Sequence, residues 1–181
     1  MKISGKKLIG EGNWLSLVKL DYVDKDGINR SWESVERKKC SGAVLMIASL
    51  VPSGKLILIR QFRPPAGKYV LEFPAGLIDP GENPEETAIR ELREETGYHG
   101  EVISISPPGY SSPGMTGETV HIARMTVNES EQGALQTDFD PGENIETILI
   151  SPEDLPALIR QESSLGNGID SKVAAYAAAL I

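Results

Sequence analysis

Cysteine occurs once in the 181 residues, at Cys40, and histidine only at His99 and His121. A single thiol cannot close an internal disulfide. A thiol nucleophile needs a histidine beside it, and with so few histidines in the chain Cys40 is read as a buried or strand-end residue. No stretch approaches the ~18 consecutive apolar residues of a membrane-spanning helix. Met1 to Gly10 has no long apolar run and no signal-peptide cleavage pattern. Basic residues are few, 18 against 26 acidic ones, for a net charge of −8. That balance attracts neither a phosphate backbone nor an anionic membrane surface, so neither nucleic acid nor membrane is expected as a partner. An acidic protein can still act on phosphates if metal ions bridge the two. These features fit the cytoplasm, and the length fits one compact domain, or one with a small appended sheet.

The first half reads as strands and turns. Trp14 to Val23 alternates apolar and polar residues, Asp24-Lys25-Asp26-Gly27 is a turn signal, and Ile28 to Arg37 is the return strand of a hairpin. Ala43 to Leu50 and Lys55 to Gln61 are apolar runs joined through Pro52-Ser53-Gly54 and read as core strands. Tyr69 to Phe73 is a further short strand. Asn83-Pro84-Glu85-Glu86 then starts a helix, with Asn83 as N-cap, Pro84 at the first helical position and Glu86 at the third. Gly97 should end it, because glycine tolerates the left-handed conformation. Val102 to Ser106, Thr119 to Val127 and Ile145 to Ile150 read as strands, and the polar Asn128 to Gly142 as a loop. Ser151-Pro152-Glu153-Asp154 opens another helix, and Asp170 to Ile181 is an alanine-rich last one. Mixed strands with few helices suggest helices packed around a mostly β core.

On an ideal helix over 84–97, Ala88, Ile89, Leu92 and Thr96 fall on one arc, the expected buried stripe. Thr87, Glu91, Glu94 and Glu95 fall on another, expected to be exposed. Glu91 and Glu95 face each other across one turn, a like-charge pair that costs roughly 0.2–0.5 kcal/mol. A helix shaped only by stability would place a lysine there, and a local rule broken without a remedy often marks a working site. A hard divalent cation removes the conflict, since Mg²⁺ takes carboxylate and phosphate oxygens. A bare E-x-x-E-E is ordinarily a solvated acidic face. Here Gly76 and Gly81 frame a loop before it, and Arg90 stands four residues ahead of Glu94, where the two can pair.

The string Gly76, Glu82, Arg90-Glu91-Leu92, Glu94-Glu95, Gly97 resembles the signature of the Nudix hydrolase family, with Tyr98 where an aliphatic residue is more usual. The resemblance implies an α/β fold: an αβα sandwich with a mixed sheet, preceded by an antiparallel N-terminal hairpin or sheet. It implies metal-assisted hydrolysis of a nucleoside diphosphate linked to another group. Glu91 and Glu95 are then the main Mg²⁺ ligands (Mn²⁺ being an alternative), Glu94 a further ligand or base, and the Ala75 carbonyl a possible completion of the shell. Glu82 helps through water, and Arg90 orients the glutamates. Divalent cations neutralise phosphate charge, acidify water and hold it in line with phosphorus.

From about Gly12 to Leu155 the chain resembles one branch of that family, the ADP-ribose (ADP-sugar) pyrophosphatases. The likeness is carried by Gln61-Phe62-Arg63-Pro64-Pro65, Glu72-Phe73-Pro74-Ala75-Gly76, Trp32-Glu33-Ser34-Val35 and Pro113, sixteen residues after Gly97. Taken alone, Trp14 and Trp32 are ordinary sheet aromatics, Arg37 and Arg63 surface ion-pair partners, Glu33 a solvated strand residue and Glu143 a turn residue. In the branch, two tryptophans sandwich the adenine, one from each subunit of a swapped dimer, and stacking contributes on the order of 1–3 kcal/mol per base. The resemblance therefore makes Trp14 and Trp32 base stackers, Glu33 a base or ribose contact, Arg37 and Arg63 diphosphate ligands, and Glu143 a loop base. Met115 to Glu118 departs from the branch and leaves the terminal ribose unassigned. His121 is read as a strand residue. Residues 1–40 then form a β region for dimerisation and stacking, and 41–181 the catalytic domain of a homodimer that cleaves ADP-ribose to AMP and ribose 5-phosphate. Another nucleoside diphosphate sugar, such as a hexose nucleoside diphosphate, is the alternative substrate. A silent ADP-ribose sensor is disfavoured by the intact Glu91, Glu94 and Glu95. The paired tryptophans and Pro113 disfavour oxidised nucleoside triphosphates.

Overall fold

In the computed structural model residues 1–139 and 142–180 are described. Three antiparallel strands, β1 (Lys2–Glu11), β2 (Leu15–Val23) and β3 (Asn29–Arg37), form a sheet of their own in that order. The β2–β3 hairpin is the expected one, and Asp24 makes its turn by accepting the N–H groups of Asp26 and Ile28 on Oδ1. Strand β1 adds to the expectation. Almost every position on it is exposed, so no apolar alternation betrays it, and it is defined by its pairing with β2.

The larger sheet contains β4 (Ala43–Val51), β5 (Leu56–Arg63), β6 (Lys68–Glu72), β7 (Ala75–Leu77), β8 (Glu101–Ile105), β9 (Gly109–Tyr110), β10 (Thr119–Asn128), β11 (Ile145–Ile150) and β12 (Gly168–Ile169). Its main path runs β12-β6-β5-β4-β10-β8, with β10 parallel to β4. Three helices cover it: α1 (Pro84–Thr96), α2 (Leu155–Ser164) and α3 (Ser171–Ala178). Strand β4 is apolar without alternation because both of its faces are buried. Val44, Met46, Ala48 and Leu50 pack with Ala88 and Leu92 of α1. Leu45 and Ile47 pack on the other side with Leu155 of α2 and Val173 of α3. The result is an αβα sandwich with one core on each side of the sheet.

Strands β4 and β5 pair at Ser49↔Leu56, beside their connecting turn. Farther along, β7 takes the edge of β4 and β11 the edge of β5. Helix α1 packs against β4, β7 and β11, and so lies where those edges separate.

Several boundaries differ from expectation. The segment after Ser151 begins as a 3₁₀ turn, Pro152–Asp154, before α2. The loop from Asn128 contains another, Glu129–Glu131; Asp140 and Pro141 within that expected loop lie outside the described residues. The last helix covers Ser171–Ala178, and Ile181 lies outside the described residues. The expected faces of α1 are redrawn. Ile89 is 43% exposed, whereas Thr87 and Glu95 are buried beside Ala88, Leu92 and Thr96. Ile89 points away from the sheet, and the chain around Ala75 closes over Glu95.

Candidate active site

Helix α1 is fixed at both ends by local chemistry. Asn83 Oδ1 accepts the N–H groups of Glu85 and Glu86, and Glu86 Oε2 accepts the N–H of Asn83. Gly97 closes the helix at φ 75°, its N–H donating to Arg93. Between these ends the helix holds its carboxylates with one guanidinium. Arg90 Nε and Nη2 donate to the two oxygens of Glu82, both at 2.8 Å. Its Nη1 donates to Glu91 Oε1 at 2.8 Å and Glu94 Oε2 at 3.0 Å. Nη2 also reaches the Leu77 carbonyl at 3.3 Å. The expected Arg90–Glu94 pair is thus part of a hub joining three glutamates to the loop ahead of the helix.

The carboxylates feel different surroundings. The hydrogen bonds from Arg90 hold the Glu82 carboxyl down at about 2, helped by the Thr87 hydroxyl at 2.8 Å. Burial pushes Glu91 up, with Arg90 opposing. Glu95 is 5% exposed and accepts the Ala75 N–H at 3.1 Å. Burial, then the charge of Glu91, pushes its carboxyl up to about 8. Gly76 lies against the Glu91 side chain, leaving no room for a side chain of its own there.

These groups form one wall of a cleft of about 830 Å³. Trp14, Arg37, Lys38, Lys39, Arg63, Glu118, Asp138 and Glu143 line the remainder. Arg63 is paired bidentately with Glu72, both contacts at 2.8 Å, and Arg37 Nε with Glu118 Oε1 at 2.8 Å. Glu143 Oε1 accepts from Gln61 Nε2 at 3.3 Å. The cleft therefore brings guanidinium and ammonium groups, several of them ion-paired, and an exposed indole together with the clustered carboxylates.

Of the residues expected from sequence, Trp14, Arg37, Arg63, Ala75, Arg90, Glu91, Glu94, Glu95 and Glu143 share this cleft. Trp32 and Glu33 do not line it. Trp32 is 53% exposed on the three-stranded sheet and donates through Nε1 to the Gly114 carbonyl at 2.9 Å. Glu33 is exposed opposite Lys19. The 112–118 segment binds that sheet to the larger one, through Val35 N–H to Met115 and the Arg37–Glu118 pair. Glu118, Glu72 and Gln61 carried no expected role: the partners of Glu118 and Gln61 lie 81 and 82 positions away, and Glu72 meets Arg63 across the β5–β6 pair. His121 is on β10, its Nδ1 2.9 Å from the Ser106 carbonyl.

An αβα sandwich whose acidic helix and glycine loop gather oxygen donors in a cleft shared with guanidinium and ammonium groups defines a class of phosphate-cleaving hydrolases. Residues 41–169 match the NUDIX domain, and the chain is a member of the Nudix hydrolase family, enzymes that generally use a divalent metal. It is 38% identical to an ADP-sugar pyrophosphatase of Mus musculus over 98% of this chain and 86% of that protein. It is 35% identical to an ADP-ribose pyrophosphatase of Saccharomyces cerevisiae over 88% of this chain and 74% of that one. A crystal structure of an ADP compounds hydrolase shares the fold, with a TM-score of 0.67 at 21% identity, covering 88% of this chain and 82% of its own. No helix among the described residues is long and apolar enough to cross a membrane.

The residues suit a divalent cation. Glu91, Glu94 and Glu95 are hard oxygen donors lining one cleft, with Ala75 against Glu95, although among the described residues no three such side chains already close around a single point, Glu91 and Glu94 being held by Arg90. Burying Glu95 beside Glu91 is unfavourable for the protein alone, as its raised carboxyl records, and a cation relieves it.

Proposed function

We propose that this protein hydrolyses the pyrophosphate bond of ADP-ribose and related ADP-sugars, giving AMP and ribose 5-phosphate, with Mg²⁺ as its metal and Mn²⁺ as a substitute. The observation that carries this reading is the meeting of Trp14, Arg37 and Arg63 with Glu91, Glu94 and Glu95 in one cleft. These are the chemistries that an aromatic base, a diphosphate and its metal require. The names of the relatives in Mus musculus and Saccharomyces cerevisiae support the same substrate class.

Glu91, Glu95 and Glu94 would hold the metal together with the Ala75 carbonyl, while Glu82 and Arg90 keep the three carboxylates aligned. Held there, a divalent cation would supply charge neutralisation at the diphosphate and lower the pKa of the attacking water. Arg63 and Arg37 bind diphosphate oxygens, for which a planar guanidinium is suited. Glu143 accepts the proton of the water. Trp14 stacks on the adenine. Trp32 and Glu33, which stand outside this chain's cleft, complete the site of a second copy in a homodimer exchanged through residues 1–40, with 41–181 as the catalytic domain. The cytoplasm is its place of action.

Incubation of ADP-ribose with the protein and Mg²⁺ should yield AMP and ribose 5-phosphate in equal amounts, and no products with a chelator. Equal turnover in chelator defeats the metal assignment. A strong preference for a nucleoside triphosphate or a hexose nucleoside diphosphate defeats the substrate assignment.

A further inference from the structure

Strand β5 sends Ile57, Ile59, Gln61 and Arg63 to the α1 side of the sheet, and Ile57 and Ile59 are wholly buried. Gln61 continues this apolar row and is only 5% exposed. Its Nε2 donates to Glu143, and its Oε1 is buried with no hydrogen-bond partner among the described residues. The amide cannot be turned to relieve this, because a carboxylate only accepts and the NH₂ must face it. A buried acceptor left unmet costs stability, and a leucine would complete the row without that cost. A local sacrifice of this kind points to function.

The register explains what the sacrifice achieves. Ile145, the first residue of β11, pairs with Gln61, and Glu143 stands two residues ahead of it, near enough for its charge to act on Arg63. Glu143 thus reaches β5 from a loop, accepting from the amide of Gln61 while Arg63, paired with Glu72, acts on it through charge. An amide donor held in a buried strand fixes the direction of the carboxylate that accepts from it.

We propose that Gln61 is the positioning residue of the reaction: its carboxamide holds the Glu143 carboxylate in the orientation from which it takes the proton. This rests on the reading of Glu143 as the proton acceptor. Gln61→Leu should lower kcat for ADP-ribose with Mg²⁺ by about tenfold, the worth of one hydrogen bond to a charged group. KM and Mg²⁺ affinity should hold, and Tm should stay level or rise because the unmet acceptor is gone. In a Glu143→Gln background the same change should cost nothing further. Gln61→Met, unbranched and of similar length, provides the same comparison should the leucine disturb folding. An undiminished kcat in Gln61→Leu overturns the proposal. So does a loss that multiplies in full with that of Glu143→Gln, or a loss in both variants that merely follows a fall in Tm. A normal kcat in Glu143→Gln alone overturns the reading of Glu143 itself and this role with it, so that single variant separates the two failures.

Discussion

Gly76 and Glu91 are in such close contact that a Cβ on the glycine would fall 1.9 Å from the glutamate's carboxylate carbon. The glycine is required for space, since its φ is not among the positive ones. Gly76→Ala must therefore push the Glu91 side chain out of its place in the cleft, where we propose it holds the metal. Mg²⁺ affinity or activity should drop by about 10–100-fold, as for loss of a group that orients a ligand. Titration of Mg²⁺ into the variant, followed by turnover, checks this. Unaltered Mg²⁺ dependence would show that Glu91 has room to move without consequence.

Glu95→Gln should remove most activity yet leave the metal-free fold as stable or more so. The carboxyl is raised to about 8 in the fold, above the unfolded value of about 4.3. Its contribution to stability is fully present below the unfolded value and is lost as pH rises through the folded one. Glutamine cannot ionise and shows no such loss, so in chelator the Tm difference should open in favour of the variant between pH 5 and 8, a window roughly set by those two values. Added Mg²⁺ should stabilise the wild type more than the variant. A variant that melts well below wild type in chelator at pH 7 would make Glu95 a structural group.

The parts of this site that were legible in the sequence are those set by local rules. The Asn83 and Glu86 capping box, Pro84 and Gly97 fix α1 through contacts within a few residues, and the acidic spacing puts Glu91, Glu94 and Glu95 together wherever the helix lies. Which face is buried depends on what packs against it. The wheel placed Ile89 inward and Glu95 outward, and the structure reverses both because the Ala75 strand, not solvent, meets Glu95. Strand β1 carried no signal because its residues are nearly all exposed. Gln61 was visible as a letter without a role, since its partner lies 82 positions away across a strand pair.

Away from the cleft, Glu162 is fully buried and receives Arg60 Nη2 at 2.5 Å, Arg60 Nε at 3.1 Å and Asn167 Nδ2 at 2.7 Å. Burial pushes its carboxyl up, but the hydrogen bonds from Arg60 and Asn167 outweigh burial and leave it below the ordinary value. That stability is present above the unfolded value and is lost as pH falls through the folded one. Glu162→Gln should cost about 2 kcal/mol in urea unfolding at pH 7, with Arg60 keeping its partner Glu146. The gap between the proteins should narrow as the pH falls below about 4. A pH-independent gap would mean that the ionic character of the pair is irrelevant.

Trp14, in the turn between β1 and β2, lines the cleft of its own chain, whereas Trp32 stands outside it on β3. If a second copy supplies Trp32, then Trp14→Ala and Trp32→Ala homodimers should each bind ADP-ribose weakly, with KM raised about tenfold or more by the lost stacking. After unfolding and refolding together, heterodimers carry one intact site, and part of the activity should return. Sedimentation as a monomer with full activity at the assay concentration rules out the composite site.

The identity of the proton acceptor lies between Glu94 and Glu143. Glu94 is held by Arg90 at 3.0 Å on the helix of the proposed metal ligands, where a bound cation would compete with the guanidinium for its lone pairs. Glu143 receives a neutral amide at the mouth of the cleft and follows Gly142, whose φ of 93° suits a glycine and gives the loop a backbone freedom that other residues lack. A base must reach the water after substrate has bound, and a carboxylate carried by a loop is suited to that task. Loss of a general base typically lowers the rate by roughly 10²–10⁴. Glu143→Gln should show a fall of that order in kcat, with KM and Mg²⁺ affinity little changed. Glu94→Gln should instead weaken Mg²⁺ binding along with turnover, and raising Mg²⁺ should recover part of its rate. If Glu143→Gln keeps its kcat while Glu94→Gln loses rate at unaltered Mg²⁺ affinity, the two glutamates exchange roles.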